Sequence, residues 1–151
     1  YEQELVAEIR RLDLQPRAAV SSTYASTLYH LRRQFPAMRL GLSTGHLANG
    51  IPSRLARKIV SSSLQIATPA PLLAAVRLIG ATDVMVQYRV CSPYLVKLMH
   101  DHGIRVNTWT VDHPGQIQKV LNMGVDGVIS NRPDLVHERL QRVSLSGNAG
   151  V

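Results

Sequence analysis

Apolar positions along the chain follow two different spacings. In the longer stretches leucine, isoleucine and valine recur every three to four residues, which is the spacing of one face of a helix. Between these stretches lie short apolar runs with the length of buried strands. Five such runs are predicted strands: "RAAVSST", "MRLGLS", "DVMVQY", "IRVNTWTV" and "VDGVIS". Because helix and strand alternate with mostly short connections, the pattern predicts a parallel sheet with helical crossovers.

Proline and glycine mark several helix ends. Ser92 and Pro93 are typical of an N-cap followed by proline at the first helical position, and Gly103 closes the same helix. Pro114 and Gly124 bracket the next helix in the same way. Residues 44–53 form the least regular segment and are predicted to be a loop, with a helix expected over residues 53–62. A last helix is predicted over residues 132–143, followed by a flexible tail.

The predicted fold class is α/β, and polar residues gather where the last two strands end. Active sites of (β/α)₈ barrels lie at that end of their strands, but a complete barrel needs about 250 residues. Five βα units cannot close a barrel, and both edge strands would stay unpaired. We therefore expect residues 1–142 to be the C-terminal part of a TIM-type barrel within a longer protein, with residues 143–151 as a tail. A small open α/β sheet is the alternative.

Composition and charge limit the classes of binding partner that we expect. The chain is 45% apolar and carries a net charge of +7, with its arginines scattered along the sequence. A basic surface suits a phosphate ester or a phospholipid headgroup, although a merely solvated basic face explains it equally well. Aromatic residues do not interleave with the basic ones, so nucleic acid is not expected. The single cysteine excludes an internal disulfide.

Membrane and targeting signals do not fix the compartment. No run of about 18 apolar residues occurs, so we expect no membrane span within these residues. The charged N-terminal stretch does not have the composition of a signal peptide. Localisation in the cytoplasm and localisation as the soluble domain of a membrane-associated protein both remain open.

The stretch Arg105–Val136 resembles the end of the glycerophosphodiester phosphodiesterase family. That family ends with a strand reading roughly W-T-V-N, a helix, and then G-V-D-G-I-I-T-D-x-P-D. The matching residues are Trp109, Thr110, Val111, Gly124, Val125, Asp126, Gly127, Pro133 and Asp134. Three positions differ: Asp112 stands where Asn is usual, Ser130 where Thr is usual, and Asn131 where Asp is usual.

An upstream segment resembles the same family without gaps. The family pattern S-S-F-D-P-x-x-L-x-x-L-R-x-x-x-P-x-x-x-x-G-L-L is matched at Ser21, Ser22, Leu28, Leu31, Arg32, Pro36, Gly41 and Leu42. Thr23 and Tyr24 replace the usual Phe and Asp, so the end of this strand is altered. The resemblance extends from about the first residue to residue 140, which is nearly the whole chain.

The resemblance implies a barrel hydrolase that splits glycerophosphodiesters into glycerol 3-phosphate and an alcohol in lipid metabolism. Such enzymes use a divalent cation, Mg or Ca, held by carboxylates, and two histidines as general acid and base. Their motifs H-R-G, E-x-D, H-D and E-x-K lie on the first strands. This chain lacks H-R-G, E-x-D and E-x-K, and its His-Asp dipeptide, His100-Asp101, falls in a predicted helix.

We therefore expect this chain to supply no catalytic residue and, alone, to bind no cation and to turn over no substrate. His100 and His102 are two residues apart and would not face each other on a helix, so a metal pair is not expected. Two alternatives stay open: a non-catalytic binding or scaffold module derived from the barrel, and a different barrel enzyme with a phosphate site at its last strands.

The candidate pocket residues are Trp109, Asn131, Ser130, Gln87 and Ser22. Alternation along the strand places Asn107, Trp109 and Val111 on one face, and the family resemblance favours Trp109 as a wall of the substrate pocket. Ser130 and Asn131 would supply hydrogen bonds or shape a turn, and either Gln87 or Ser22 could point inward. Asp112 or His113 would cap the following helix or contact a polar ligand. His46 could reach the pocket from its loop, and Gly127 would allow a neighbouring strand or helix to approach closely.

Overall fold

The computed structural model describes residues 2–15, 17–44 and 69–147. The elements follow in the order α1 (Glu2–Arg11), β1 (Ala19–Ser22), α2 (Ala25–Gln34), β2 (Arg39–Ser43), α3 (Ala70–Ile79), β3 (Asp83–Gln87), α4 (Pro93–His100), β4 (Arg105–Trp109), α5 (Pro114–Asn122), β5 (Gly127–Val128) and α6 (Pro133–Gly147). Each of the five predicted strands is present. The helix expected over residues 53–62, and His46, lie outside the described residues.

The described strands form one parallel sheet in the order β1-β2-β3-β4-β5. Each strand pairs with its neighbours in sequence, and all four pairs are parallel, as the strand–helix alternation predicted. The register aligns Leu42 with Val84 and Val84 with Val106, and further along the strands it aligns Gln87 with Trp109. Because side chains alternate along a strand, this register sorts them onto two faces of the sheet.

The face that carries Leu40, Leu42, Val84, Val86 and Val106, here called the helix face, holds the main apolar core. Helices supply the opposing side chains at the spacing of one helical stripe. These are Leu28 and Leu31 of α2 with Phe35 beyond its end, Val76 and Ile79 of α3, and Leu95, Val96 and Met99 of α4. Burying one such side chain stabilises the fold by about 1.5–3 kcal/mol.

The opposite face, here called the polar face, begins with a charged residue on each of three adjacent strands. Arg39 opens β2, Asp83 opens β3 and Arg105 opens β4. Arg39 Nη2 donates to Asp83 Oδ1 at 2.7 Å, and Arg105 Nη2 donates to Asp83 Oδ2 at 3.2 Å. The Asp83 side chain is 1% exposed, whereas the arginines keep 46% and 42% of theirs in contact with solvent. The ion pairs therefore bridge three strands at the N-terminal edge of the sheet.

Arg32 joins α2 to the end of α3. Its Nε donates to the carbonyl of Gly80 at 2.9 Å and its Nη1 to the carbonyl of Pro36 at 2.5 Å. Gly80 ends α3 in the left-handed conformation, with φ of 73°, so its carbonyl is turned toward Arg32. Burial lowers the pKa of the Arg32 guanidinium, which remains charged because arginine titrates far above neutrality.

Arg32→Met should lower the free energy of unfolding by about 1.5 kcal/mol, because it removes charged donors from the carbonyls of Gly80, Pro36 and Phe35 while retaining the apolar stem. Chemical denaturation of both proteins measures the difference. Arg33→Met is the matched control, since Arg33 is the next residue of the same helix and is exposed. Equal stability of the two variants would contradict the role assigned to Arg32.

The last helix continues further than predicted. It was expected to end at residue 143, and in the structure α6 reaches Gly147. The segment Ser144–Leu145–Ser146 contains neither proline nor glycine, so no residue in it interrupts the helix before Gly147. The predicted tail over residues 143–151 is therefore helical in its first part, and residues 148–151 lie outside the description. No helix in the described ranges is long and apolar enough to cross a membrane.

Candidate functional site

Trp109 and Gln87 lie side by side at the C-terminal edge of the polar face. They are paired in the register of β3 and β4, and both are partly buried. The backbone carbonyl of Trp109 accepts a hydrogen bond from the N–H of Tyr88 at 3.0 Å. The indole Nε1 is buried and makes no hydrogen bond within the described part of the chain. An indole N–H in this state is a donor that an oxygen ligand could satisfy.

Asn107 connects this edge to the ion pairs of the polar face. It lies on the same face of β4 as Trp109, two residues earlier, and its Nδ2 donates to Asp83 Oδ1 at 3.2 Å. Gly127 of β5 pairs with Asn107, and a Cβ added to Gly127 would overlap the Asn107 side-chain oxygen. The absence of a side chain at residue 127 therefore gives Asn107 the room to reach Asp83.

The carboxylate of Asp83 accepts four hydrogen bonds and stays ionised. Besides the two arginines and Asn107, Thr82 Oγ1 donates to Asp83 Oδ2 at 2.7 Å. Burial by itself raises the pKa of Asp83, but hydrogen bonds from Arg39, Thr82 and Asn107, together with the charge of Arg39, outweigh it and leave the pKa lowered. The polar face thus has a fixed negative charge enclosed by donors below Trp109.

Asp112 ties the loop after β4 to the loop after β5. Its Oδ1 accepts from Ser130 Oγ at 3.0 Å and from the backbone N–H of Asn131 at 2.8 Å, and its Oδ2 accepts from Asn131 Nδ2 at 3.0 Å. Ser130 Oγ in turn accepts from the backbone N–H of Arg132 at 2.9 Å. The hydrogen bonds from Asn131, then that from Ser130 and the charge of His113, lower the pKa of Asp112.

A second link joins the loop after β3 to the start of α5. Gln116 Nε2 donates to Tyr88 Oη at 3.2 Å, and Arg89 Nε donates to the same oxygen at 3.1 Å. The Arg89 guanidinium also lies 5.5 Å from the centre of the Tyr88 ring, within the range of a cation–π contact. The loops that follow β3, β4 and β5 are therefore held by polar contacts around the C-terminal edge.

The predicted pocket residues do not all meet. Trp109 and Gln87 are adjacent, and Ser130 and Asn131 lie in the neighbouring loop, bound to Asp112. Ser22 lies on the helix face, because it follows Ser21, which is close to Gly41 on the polar face. The hydroxyl of Ser22 accepts from the backbone N–H of Tyr24 at 3.0 Å. The structure therefore does not bring Ser22 beside Trp109.

One expectation about the end of β4 was wrong, and a second is confirmed as to position. Val111 was expected on the face of Trp109, but it is fully buried with Ile117 and Val120 of α5. The strand ends at Trp109, and the strict alternation of a strand no longer applies beyond it. Asp112 or His113 was expected to cap α5, and His113 does occupy the N-cap position, but its side chain makes no capping hydrogen bond.

The side chains of His100, His102, Asp101 and Cys91 do not take part in the contacts around Trp109. His100 Nε2 lies 2.7 Å from Asp126 Oδ2, and His102 Nδ1 lies 2.9 Å from the carbonyl of Leu98. Asp101 pairs with Lys97 on the surface of α4. Asp126 directly precedes β5 and accepts from the backbone N–H of Val106 in β4, so His100 lies near the N-terminal edge of the sheet, opposite to the edge that carries Trp109. Burial raises the pKa of the Cys91 thiol to about 11, which keeps it protonated at neutral pH.

Sequence reasoning did not single out Arg39, Asp83, Arg105 or Asn107. A signal for three of them was present: consecutive strands β2, β3 and β4 begin with Arg, Asp and Arg. In a parallel sheet whose strands pair in sequence order, residues that begin adjacent strands lie at the same edge. Opposite charges at these positions could therefore have predicted the ion pairs, whereas nothing in the strand composition indicated the reach of Asn107.

Known proteins resemble this chain in sequence and in fold. Residues 4–135 match the glycerophosphoryl diester phosphodiesterase family. A Mycobacterium tuberculosis protein named "Probable glycerophosphodiester phosphodiesterase 2" is 41% identical over 51 residues, which are 34% of this chain and 19% of that relative.

Solved structures share the fold. A glycerophosphodiester phosphodiesterase from Parabacteroides distasonis superposes with a TM-score of 0.71 at 21% identity, over 95% of this chain and 51% of that one. A phosphodiesterase from Oleispira antarctica, solved with the product sn-glycerol-3-phosphate, gives a TM-score of 0.64 at 16% identity, over 93% and 50%. The chain thus spans about half the length of these two proteins, and its fold is the predicted part of a (β/α)₈ barrel.

Proposed function

The chain belongs to the glycerophosphoryl diester phosphodiesterase family, and on this premise we propose that it forms the substrate-binding C-terminal part of a phosphodiesterase barrel. The whole protein would hydrolyse glycerophosphodiesters to glycerol 3-phosphate and an alcohol. In this proposal the chain supplies walls and hydrogen-bond donors of the pocket. The residues that transfer protons and hold a cation would belong to other parts of the barrel.

The observation that carries the proposal is the indole N–H of Trp109, which lies beside Gln87 and has no hydrogen-bond partner among the described residues. Both residues lie at the C-terminal edge of the strands, where barrel enzymes bind their substrates. The buried Nε1 and the Gln87 amide are donors suited to hydroxyl and phosphoryl oxygens. The indole ring offers an apolar surface to the carbon atoms of glycerol. The paired C-terminal ends of β3 and β4 would therefore supply both kinds of contact that a glycerol phosphate needs.

The residues described here do not fit the divalent cation that the family implies. No group of three His, Cys, Asp or Glu side chains among residues 2–15, 17–44 and 69–147 could hold a metal ion. Asp112, the carboxylate at the C-terminal edge, already accepts hydrogen bonds from Ser130 and Asn131. We therefore derive no catalytic step through a cation from this chain.

The binding role is tested by titrating the chain with glycerol 3-phosphate. Trp109 is the only tryptophan of the sequence, so its fluorescence reports on this edge alone. We expect a saturable change in emission, with affinity roughly tenfold weaker in Gln87→Ala because one hydrogen bond to a charged ligand is lost. The matched control is Gln118→Ala, since Gln118 donates to Asn122 on α5. Unchanged emission at saturating ligand would contradict the proposal.

A non-catalytic binding module is the second candidate, favoured by the missing H-R-G, E-x-D and E-x-K motifs. Product analysis with glycerophosphocholine and added Mg²⁺ or Ca²⁺ separates the two. We expect the 151-residue chain to release no glycerol 3-phosphate, and the full reading frame that encodes it to release the product until a chelator is added. A full-length protein that binds glycerol 3-phosphate but hydrolyses nothing would instead establish the binding module.

A further inference from the structure

The hydrogen-bond ladder between β4 and β5 continues beyond the last paired strand residues. Ile129 N–H donates to the carbonyl of Thr108 at 2.8 Å, and Val111 N–H donates to the carbonyl of Ile129 at 3.0 Å. The next donor on the β5 side is the N–H of Asn131. It donates to the side-chain Oδ1 of Asp112 at 2.8 Å, so a carboxylate serves where a backbone carbonyl would continue the ladder.

We propose that Asp112 is a positioning residue that locks the loop after β5 to the loop after β4 and so fixes the chain just beyond Trp109. The carboxylate is suited to this because it accepts three hydrogen bonds, from Ser130 Oγ, from Asn131 N–H and from Asn131 Nδ2. Hydrogen bonds to an ionised acceptor are shorter and stronger than neutral ones. Asp112 makes these contacts across the two loops, while His113 takes the N-cap position of α5.

The lock requires one carboxylate and one amide. In this chain the carboxylate is at position 112 and the amide is at position 131. Either order pairs an acceptor with a donor, and in both the side chain at position 112 offers an oxygen to the N–H of residue 131. Two carboxylates at these positions would repel each other instead. The charged neighbours are His113, beside Asp112, and the Arg132–Asp134 ion pair.

The positioning role of Asp112 matters for function only through the proposed pocket at Trp109. Its test uses no substrate, so the positioning role and the proposed pocket can each be contradicted without the other. The variants are Asn131→Asp, Asp112→Asn/Asn131→Asp and Asp112→Ala. The readouts are Trp109 emission, its quenching by acrylamide, and amide hydrogen exchange at residue 131. Asp101→Asn is the matched control, because Asp101 pairs with Lys97 on α4.

We expect Asn131→Asp at neutral pH to shift Trp109 emission to longer wavelength and to expose the residue 131 amide to exchange. Acidification that protonates one carboxylate should reverse both changes. The reciprocal double variant should show the wild-type spectrum and protection, Asp112→Ala should lose the protection, and Asp101→Asn should change neither readout.

If Asp112 did not hold the two loops together, emission and hydrogen exchange would respond differently to these substitutions. Wild-type emission and exchange in both Asn131→Asp and Asp112→Ala would overturn the proposal. So would a reciprocal double variant that stays as perturbed as Asn131→Asp. If Asn131→Asp does not fold, the double variant decides by itself: wild-type readouts support the lock, and an unfolded or altered protein overturns it.

Discussion

Replacing Asp83 by alanine is expected to lower the free energy of unfolding by about 3 kcal/mol, the largest effect of the substitutions considered. The variant leaves Arg39, Arg105, Thr82 and Asn107 without the carboxylate to which all four donate. The cost stays below that of a fully buried pair because the two arginines are about half exposed and can be hydrated. Urea denaturation monitored by circular dichroism measures the difference.

The same carboxylate gives the stability a defined dependence on pH. The pKa of Asp83 is lowered in the folded chain, so its contribution is complete above the unfolded value of about 3.9 and is lost as pH falls toward the folded value. Asp83→Asn should therefore be less stable than the wild type at neutral pH, and the gap should narrow below about pH 4. Asp101→Asn, at an exposed pair, should match the wild type throughout. A gap that is constant with pH would contradict this assignment.

Gly127→Ala should lower the free energy of unfolding by about 2 kcal/mol, because a Cβ at this position would overlap Asn107. Asn107 is a short side chain whose amide is committed to Asp83, so it cannot move away without losing that hydrogen bond. Gly115→Ala is the matched control, since a Cβ there meets nothing within 4 Å and the residue lies in the first turn of α5. That control should leave the stability unchanged or slightly raised.

A second comparison separates this clash from simple crowding. A Cβ at Gly41 would come within 2.7 Å of Met85 Cε, which is the end of a flexible side chain. Gly41→Ala should therefore cost less than Gly127→Ala. In an Asn107→Ala background the cost of Gly127→Ala should shrink, since the overlapping amide is gone, and a double-mutant cycle measures that coupling. Additive effects of the two substitutions would refute the proposed contact.

The sheet could be predicted from the sequence because the features that determine it are local. Strand-length apolar runs between amphipathic helices predicted all five strands, and alternation along β4 placed Asn107 and Trp109 together on one face. The helix ends at Pro93 and Pro114 followed from the restricted backbone of proline. These features depend on neighbouring residues alone, so a single sequence carries them.

The contacts around the C-terminal edge could not be predicted in the same way, because they join residues that are far apart in sequence. Asp112 meets Asn131 across α5 and β5, and its carboxylate could have capped a helix equally well by composition. Val111 departs from alternation because the strand stops at Trp109, and strand ends are set by packing rather than by residue type. Ser22 and Ser21 are chemically identical, so only the register of β1 against β2 could assign one of them to each face.

The order β1-β2-β3-β4-β5 has a consequence for how the chain acquires its structure. Among the five described strands, each partner is the strand made immediately before or after it, so none of these pairings waits for a distant part of the sequence. The entropic cost of closing each loop is that of a single crossover. During synthesis each new βα unit meets an edge that is already laid down, which suits folding that proceeds from the N-terminus as translation advances. The five described strands can thus be added to the sheet one after another, in the order in which they are synthesised.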